Sequence, residues 1–323
     1  AARQRDLLIE HLHRLQDHFG HLSAAHLAAL AAEMKLAQTE VYEVATFYHH
    51  FDVVKEGDAA PAALTVRVCD GLSCEMAGAR DLLQRLPAIL GTAVRVMAAP
   101  CIGRCEQAPA VAVGQRAVAH ATCESVHESV QAAAGGGDAA APSATAVIDR
   151  AAYEAQGGYR LLRQCIAGEL EVETVIQAME DSGLRGLGGA GFPAGRKWRI
   201  VRNELAPRLM AVNIDEGEPG TFKDRVYLER DPHRFVEGML IAAWAVGIAR
   251  IYVYLRDEYH DARRMLEAEL ARLRAHPPYP GMPERSLPAG SEPAGDGVPG
   301  LLEEVAVVVA GGRGADGLVG RGG

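Results

Sequence analysis

A run of small residues near the middle of the chain limits what it can fold into. Residues 132–143 read Ala-Ala-Ala-Gly-Gly-Gly-Asp-Ala-Ala-Ala-Pro-Ser, and none of these side chains can build a hydrophobic core. The sequence therefore predicts two folded parts joined by a flexible linker, which we assign to residues 135–147. A chain of 323 residues is long enough for two domains.

The first part combines helical and strand patterns. Residues 1–60 have apolar positions at helical spacing, with Gly20 as a stop and Ser23 and Thr39 as candidate caps of the second and third helices. Residues 61–134 alternate apolar and polar positions in short segments, which is typical of strands, and helical segments lie among them. We predict a helical segment at 1–60 and a compact α/β domain at 61–134.

The second part, residues 148–276, repeats the order strand, helix, strand, helix. Asp231 and Pro232 open one helix in the favoured order and Gly247 ends it. This order predicts a parallel sheet with a right-handed crossover. Residues 277–323 are rich in proline and glycine, and only the apolar patch at 305–309 is a candidate strand. The rest of this tail is expected to be disordered or the product of a reading-frame error.

Four cysteines form two close pairs. Cys69 and Cys74 have four residues between them, and Cys101 and Cys105 have three. Each pair follows a predicted strand, so the two pairs can meet at one end of a sheet. Cysteine-only ligation suits either a zinc ion or an iron–sulfur cluster, and the wide spacing favours a two-iron cluster.

Three other features complete this interpretation. The backbone N–H groups and the Arg104 cation of the second pair's loop are expected to lie near the sulfurs. Four unliganded buried cysteines are the less favoured alternative. Cys123 and Cys165 each stand alone in a helical pattern, which predicts small buried hydrophobic residues.

The segment Val-Tyr-Glu-Val-Ala-Thr-Phe-Tyr at 41–48, followed by the two cysteine pairs, resembles the thioredoxin-like 2Fe–2S subunit of respiratory complex I and related enzymes. The resemblance covers roughly residues 5–134 and implies that the four paired cysteines are the cluster ligands. The short spacer between the pairs is more similar to the fused versions in NAD-dependent formate dehydrogenases and hydrogenases. A similar fused hydrogenase subunit has lost these cysteines, whereas this chain retains all four.

Two loops in the second part have the composition of a nucleotide site. The glycine-rich loop at 186–191 lets backbone N–H groups approach a phosphate or a flat ring, although a helix rather than a strand precedes it. Lys197 adds a charge for phosphate, and Phe192 and Trp198 offer stacking surfaces. The acidic loop at 213–225 begins at the end of a strand, where α/β sheets bind ligands. Taken singly, each loop is also compatible with an ordinary surface turn.

Together, residues 182–198 and 213–225 closely resemble the FMN and NADH loops of the flavin subunit of complex I. The resemblance spans roughly residues 150–275 and implies a partial Rossmann-like domain. It assigns FMN contacts to Gly186, Gly188, Lys197, Asn213, Asp215 and Glu216, and NADH contacts to Gly189, Ala190, Phe192 and Glu218. Leu187 departs from the family, which has an arginine there. The family's further flavin loop, ubiquitin-like segment and 4Fe–4S domain are not recognisable after Pro277.

The resemblance implies an oxidoreductase subunit of the NADH dehydrogenase type, with a 2Fe–2S cluster, FMN and NAD(H) as cofactors. Such a module passes electrons between NAD(H) and the redox subunits of a larger complex, here a formate dehydrogenase or a complex I-like enzyme. The alternative is a 2Fe–2S carrier whose flavin domain does not function, and a third hypothesis is a structural zinc protein. A net charge of −9 argues against a nucleic-acid partner, and no apolar run reaches membrane-spanning length. We expect a cytoplasmic location.

Overall fold

The computed structural model describes residues 5–48, 51–135, 147–187, 189–279 and 305–309. Thirteen α-helices are found in these ranges: α1 Leu8–Phe19, α2 Ala24–Met34, α3 Gln38–Phe47, α4 Leu72–Met76, α5 Ala79–Leu90, α6 Cys123–Ala134, α7 Arg150–Ala155, α8 Arg160–Ala167, α9 Val172–Asp181, α10 Ala194–Arg202, α11 Lys223–Arg230, α12 Pro232–Val246 and α13 His260–Ala275. The same ranges hold nine strands: β1 Leu22–Ser23, β2 Val53–Val54, β3 Leu64–Cys69, β4 Val94–Ala99, β5 Val111–Val113, β6 Arg116–Val118, β7 Arg208–Ile214, β8 Ile248–Leu255 and β9 Val305–Val309.

The first three helices form a small bundle with its own hydrophobic core. Gly20 ends α1 in the left-handed conformation, with φ 76°. Ser23 caps α2 as predicted: its hydroxyl accepts the His26 N–H, and its own backbone N–H donates to His26 Nδ1. The prediction for Thr39 is wrong, because α3 begins at Gln38 and Thr39 lies inside its first turn.

The first part is built on a four-stranded sheet with the order β4-β3-β5-β6. Strands β3 and β4 are parallel, whereas β5 and β6 are antiparallel to their neighbours. Helices α5 and α6 pack against this sheet and bury residues such as Leu86 and Val126. The mixed sheet confirms the predicted α/β class, although the sequence does not predict β6.

The second part is built on a three-stranded parallel sheet with the order β7-β8-β9. Helix α12, which connects β7 to β8 together with α11, is buried along most of its length and forms the centre of the largest core. The Asp231 carboxylate caps α12, Pro232 stands in its first turn and Gly247 ends it, as predicted. The patch at 305–309 forms β9, one of the two edge strands of this sheet.

A buried carboxylate fastens α7 and α8 to α12. Glu237 accepts hydrogen bonds from the Tyr153 hydroxyl at 2.5 Å, the Tyr159 N–H at 2.8 Å and the Leu162 N–H at 3.3 Å. The Tyr159 hydroxyl lies 2.8 Å from His233 Nδ1 on the same helix as Glu237. A buried carboxylate with several donors is a strong point of attachment.

Parts of the predicted organisation fall outside the described residues. These are most of the 135–147 linker and of the 277–323 tail. Within the described residues, no helix has the length and apolar character needed to cross a membrane.

Candidate functional site

The four paired cysteines lie together at the carboxyl ends of β3 and β4. Cys69 is the last residue of β3, and Cys74 lies in α4 directly after it. Cys101 follows β4, and Cys105 begins a short 3-10 helix. Because β3 and β4 are parallel, their carboxyl ends meet at one edge of the sheet, which brings the two pairs together as the sequence predicts.

Each pair is internally close. The Sγ atoms of Cys101 and Cys105 are 3.4 Å apart, and the thiols of Cys69 and Cys74 lie within hydrogen-bonding reach of each other. Two thiolates on one tetrahedral metal with bonds of about 2.3 Å stand roughly 3.8 Å apart. The spacing within the second pair is close to that value.

All four sulfurs accept backbone hydrogen bonds. Gly103 N–H donates to Cys101 Sγ at 3.4 Å, and Ala110 N–H donates to Cys74 Sγ at 3.4 Å. Cys69 accepts from the N–H groups of Gly71 and Ile102. Cys105 accepts from the N–H of Gly220, in the second part of the chain, at 3.1 Å. Such donors stabilise sulfur that carries negative charge.

Burial makes these thiols hard to ionise without a metal. Burial, together with the neighbouring Cys105, raises the pKa of Cys101 to about 11, and the Gly103 N–H opposes this rise. Burial also raises the pKa of Cys69, with a further contribution from Cys74. A bound cation reverses both effects, since a coordinating thiol is deprotonated outright.

The arrangement suits a two-iron cluster. A two-iron cluster takes two protein ligands on each iron, which two separate pairs can supply. Among the residues that the structure describes, no three His, Cys, Asp or Glu side chains are placed to hold one metal ion together. A Cβ atom at Gly71 would lie 3.4 Å from Cys69 Sγ and 3.5 Å from Cys101 Cβ, so glycine keeps the space between the pairs open.

The glycine-rich loop closes on itself between α9 and α10. Gly186 N–H donates to the Phe192 carbonyl at 2.9 Å, and the Arg185 guanidinium donates to the Gly191 carbonyl at 3.1 Å. Cβ atoms at Gly189 and Gly191 would meet nothing within 4 Å, so this backbone borders open space. The loop leads into the N-terminus of α10, whose dipole favours an anion such as phosphate.

Trp198, predicted as a stacking surface, is half-buried and packs against the largest core instead. The other side chains predicted around this loop are accessible to a ligand where the structure describes them. Lys197 is exposed on α10, and Phe192 is 42% exposed with the Arg196 guanidinium 5.8 Å from its ring centre. Ala190 is exposed as well. Leu187, which stands where the family has arginine, is 84% exposed. Gly188 lies outside the described residues.

The acidic loop begins where β7 ends, as predicted. The Asn213 carboxamide oxygen accepts the Asp215 N–H at 2.9 Å and fixes the first turn. Burial raises the pKa of Asp215, and the nearby Glu258 and Glu218 add to that effect while Arg256 opposes it. Glu218 is exposed. Asn213, Asp215 and Glu218 are therefore placed where a ligand can reach them.

Glu216 differs from the other acidic residues, because its carboxylate is directed inward and only 4% of the residue is exposed. It accepts the Asp224 N–H at the start of α11 at 3.2 Å and the Tyr259 hydroxyl at 3.2 Å, and it pairs with Lys223 at 3.4 Å. The protein thus already satisfies this side chain. Its predicted FMN contact would have to come from the main chain.

The acidic loop and the cysteine loop are in direct contact. Arg225 donates to the Gly103 carbonyl at 3.2 Å and pairs with Glu106. Arg256 donates to the Glu216 carbonyl at 2.6 Å and also to the Cys101 carbonyl. One guanidinium therefore joins a predicted cluster ligand to a predicted flavin residue.

Sequence reasoning missed this contact. Arg225 ends the acidic motif and Arg256 directly follows β8, but a lone arginine gives no signal of a partner distant in the chain. The sequence predicts Arg104 near the sulfurs, yet its guanidinium pairs with Glu229 at 3.5 Å and Asp261 at 4.0 Å across the same interface. Cys123 and Cys165 are buried in α6 and α8, as predicted.

A cavity of about 650 Å³ lies between the helical segment, the first sheet and the second part. Its lining includes Asp215, Arg67 and His13 but no residue of the glycine-rich loop. It is therefore separate from most of the predicted flavin site.

Two family models match the chain. Residues 1–134 match the thioredoxin-like 2Fe–2S ferredoxin model, and residues 179–310 match the Nuo51 FMN-binding domain model. Both matches contain the motifs described above.

Several curated proteins are similar to this chain. One subunit of the NADH-quinone oxidoreductase of Rhizobium meliloti (strain 1021) is 48% identical over 120 residues, which cover 37% of this chain and 28% of that protein. The alpha subunit of the NAD-reducing hydrogenase HoxS of Cupriavidus necator is 33% identical over 300 residues, which cover 84% of this chain and 49% of that protein. The chain thus spans between a quarter and a half of the length of these relatives.

A solved structure has the same fold over nearly the whole chain. It is an NAD⁺-reducing NiFe-hydrogenase in the air-oxidised state, with a TM-score of 0.68 and 28% sequence identity. The similarity covers 96% of this chain and 52% of the hydrogenase chain.

Proposed function

Residues 1–134 belong to the thioredoxin-like 2Fe–2S ferredoxin family and residues 179–310 to the Nuo51 FMN-binding family, and from this we propose that the chain is an NADH-linked electron-transfer module. It would carry a 2Fe–2S cluster, FMN and NAD(H), and would act as a diaphorase-type component of a larger oxidoreductase. The observation that carries the proposal is the direct contact between the four-cysteine site and the acidic loop, through Arg256 and Gly220.

The cysteine site and the flavin site would hold different redox groups. Cys69 and Cys74 would hold one iron, and Cys101 and Cys105 the other, because each pair is internally close. When bound, FMN exchanges a hydride with NAD(H) and passes on single electrons, which is the form in which an iron–sulfur centre carries them. No side chain needs to act as a general base in such a transfer.

The flavin site would use backbone and charge. The glycine-rich loop presents N–H groups beside open space, and Lys197 at the start of α10 would pair with the phosphate. Only residues 203–207 separate α10 from β7, and so short a connection reverses the chain direction. The glycine-rich loop would then lie towards the end of β7, where Asn213 and Asp215 would meet the ligand.

The exposed Leu187 favours a second candidate, a 2Fe–2S carrier whose flavin domain does not hold FMN. An arginine at this position would add a cation beside the phosphate or the flavin, and Leu187 cannot. The two candidates differ in flavin content alone.

The partners and the parent enzyme are part of the proposal. The relatives are subunits of NADH-quinone oxidoreductase and of an NAD-reducing hydrogenase, and we propose that this chain also assembles with further redox subunits. Because the two sites are fused in one chain, we also propose an NAD-dependent formate dehydrogenase as a candidate parent enzyme. All six cysteines are free thiols, and we propose a reducing, cytoplasmic setting.

FMN titration into the flavin-free chain, followed by fluorescence quenching, tests the flavin half of the proposal. We expect one FMN per chain, and about tenfold weaker binding after Lys197→Gln, since a hydrogen bond to a charged group is lost. Lys55→Gln, in the first part, is the matched control and should bind as the parent chain does. Leu187→Arg should tighten binding.

The absence of FMN binding by the parent chain and by Leu187→Arg would refute the flavin proposal and leave the carrier. Two irons per chain separate both of these candidates from the zinc hypothesis.

A further inference from the structure

One sulfur of the cysteine site depends on the second part of the chain. Cys69, Cys74 and Cys101 accept backbone N–H groups from the same small domain that contains them. Cys105 instead accepts the N–H of Gly220, in the acidic loop, at 3.1 Å. Cys105 is also only half-buried, unlike the other three. The hydrogen bonding around the site is therefore complete only when the two parts are docked.

Two buried arginines hold this docking in place. Arg225 is 1% exposed, and its guanidinium contacts the Gly103 carbonyl, Glu106 and Glu229. Arg256 is 7% exposed and donates to the carbonyls of Cys101 and Glu216. Both cations thus lie against the loop that carries the second cysteine pair.

Carboxylates fix the direction of each guanidinium. Glu258 accepts two hydrogen bonds from Arg256, at 2.8 Å and 3.1 Å. This pairing leaves the remaining N–H groups of Arg256 pointing at the two carbonyls. Removing either partner of the pair changes the local charge by one unit, and the two changes have opposite signs.

We propose that the flavin-binding domain sets the reduction potential of the cluster through Arg256, Arg225 and the Gly220 N–H. These are positioning residues and do not bind the irons. The inference rests on the proposed two-iron cluster at the four cysteines. It adds that the potential belongs to the docked pair of domains and not to the ferredoxin-like domain alone.

The physical reason is the charge that reduction adds. A reduced cluster carries one more negative charge than an oxidised one, so its sulfurs are stronger hydrogen-bond acceptors. N–H donors and nearby cations therefore stabilise the reduced form more than the oxidised form and raise the potential. The buried setting strengthens both effects, because water screens them less.

The test is the midpoint potential of the cluster, followed by electron paramagnetic resonance in full-length chains. Arg256→Gln removes the cation and leaves Glu258 in place, so the potential should fall by about 59 mV, a tenfold change in a one-electron equilibrium. Arg256→Lys keeps the positive charge, so its midpoint potential should fall by less than half as much as that of Arg256→Gln.

Glu258→Gln provides a test of opposite sign. It leaves the Arg256 cation unpaired, so the potential should rise. A general loss of structure cannot move the potential in opposite directions in two variants. Arg199→Gln is the matched control, because Arg199 also pairs with carboxylates, Glu173 and Glu180, but within the second part alone.

The outcomes separate this inference from the proposed function. Two irons per chain, with the same potential in Arg256→Gln, Glu258→Gln and the parent chain, would overturn the inference and leave the function intact. A parent chain that takes up zinc and cannot be reconstituted with iron and sulfide would overturn both. Opposite shifts, with no shift in Arg199→Gln, would establish the inference.

Discussion

The cysteine loop is packed so tightly against the second part of the chain that one added methyl group should disrupt it. Gly103 has φ +72°, and a Cβ atom there would lie 2.5 Å from both Cε1 and the hydroxyl oxygen of Tyr259. Gly20 has nearly the same φ, +76°, but a Cβ atom there would meet nothing within 4 Å. The two glycines therefore carry similar backbone strain and differ in steric contact.

This comparison sets the magnitudes. Forcing alanine into the left-handed region costs about 1–2 kcal/mol, which is the expected loss for Gly20→Ala. Gly103→Ala adds an overpacking cost of about 1–3 kcal/mol, for a total of roughly 2–5 kcal/mol. Because Tyr259 is fully buried and donates to Glu216, the ring has little freedom to move away.

Hydrogen exchange resolved by segment is the suitable assay, since a chain with two domains need not unfold in one step. In Gly103→Ala, exchange should accelerate at 101–106 and 214–225, where the two parts meet. Gly20→Ala should accelerate exchange only around α1. The double variant Gly103→Ala/Tyr259→Leu should lose less stability than the sum of the two single variants, because leucine removes the ring that the alanine methyl group at position 103 would otherwise contact. Equal effects of the two glycine substitutions at 101–106, or full additivity in the double variant, would refute the reasoning.

Three further predictions concern buried titratable groups. Glu237→Ala leaves two backbone N–H groups and a tyrosine hydroxyl without their acceptor, at about 1–3 kcal/mol for each buried donor. The urea unfolding transition of the second part should therefore show a loss of at least about 3 kcal/mol, and an unchanged midpoint would contradict this. Burial lowers the pKa of His233, so the unfolded chain binds more protons and the free energy of unfolding should fall as the pH drops through about 6.5. The His233→Gln variant should lose this part of the pH dependence of stability. Identical pH profiles for the variant and the parent chain would contradict the role given to His233. With a pKa of about 11, Cys101 of the metal-free chain should resist alkylation at pH 8, and mass spectrometry showing rapid modification there would contradict the packing.

Secondary structure is predictable from this sequence where local chemistry decides it. Gly20, Ser23, Asp231 and Gly247 act at helix ends as predicted, because capping depends on one residue and its near neighbours. The cap predicted at Thr39 is wrong, since α3 starts at Gln38 and Ala37, two residues before Thr39, occupies the cap position. When a residue that favours capping lies within a helical pattern, the sequence alone does not show whether the helix begins before or after that residue.

Several elements escape prediction, and β6 and α11 do so for different reasons. Strand β6 is three residues long and joins β5 through the two-residue turn Gly114-Gln115, with Gly114 at φ +60°. That glycine is the available signal for a hairpin. Helix α11 carries mostly charged residues, and its N-terminus is fixed by Glu216 from the preceding loop, which periodicity does not reveal.

The candidate site is predictable as two sets of residues but not as one unit. The spacing of the cysteines and the parallel strands that precede them are enough to bring Cys69, Cys74, Cys101 and Cys105 together. The roles of Arg256 and Tyr259 depend on contacts with residues more than 40 positions away. Such contacts are set by how the two parts dock, and a single sequence contains no pattern for them.

We propose that this one chain combines a two-iron cluster with an NADH-reactive flavin. The measurement that tests it most directly is the visible absorption spectrum of the anaerobically purified chain before and after NADH addition, with iron, zinc and flavin assays on the same sample. We predict two irons and one FMN per chain and bleaching of the flavin by NADH. Zinc, or a colourless chain that iron and sulfide do not reconstitute, would contradict the cluster assignment, and bound FMN that NADH does not bleach would contradict the NADH-linked activity.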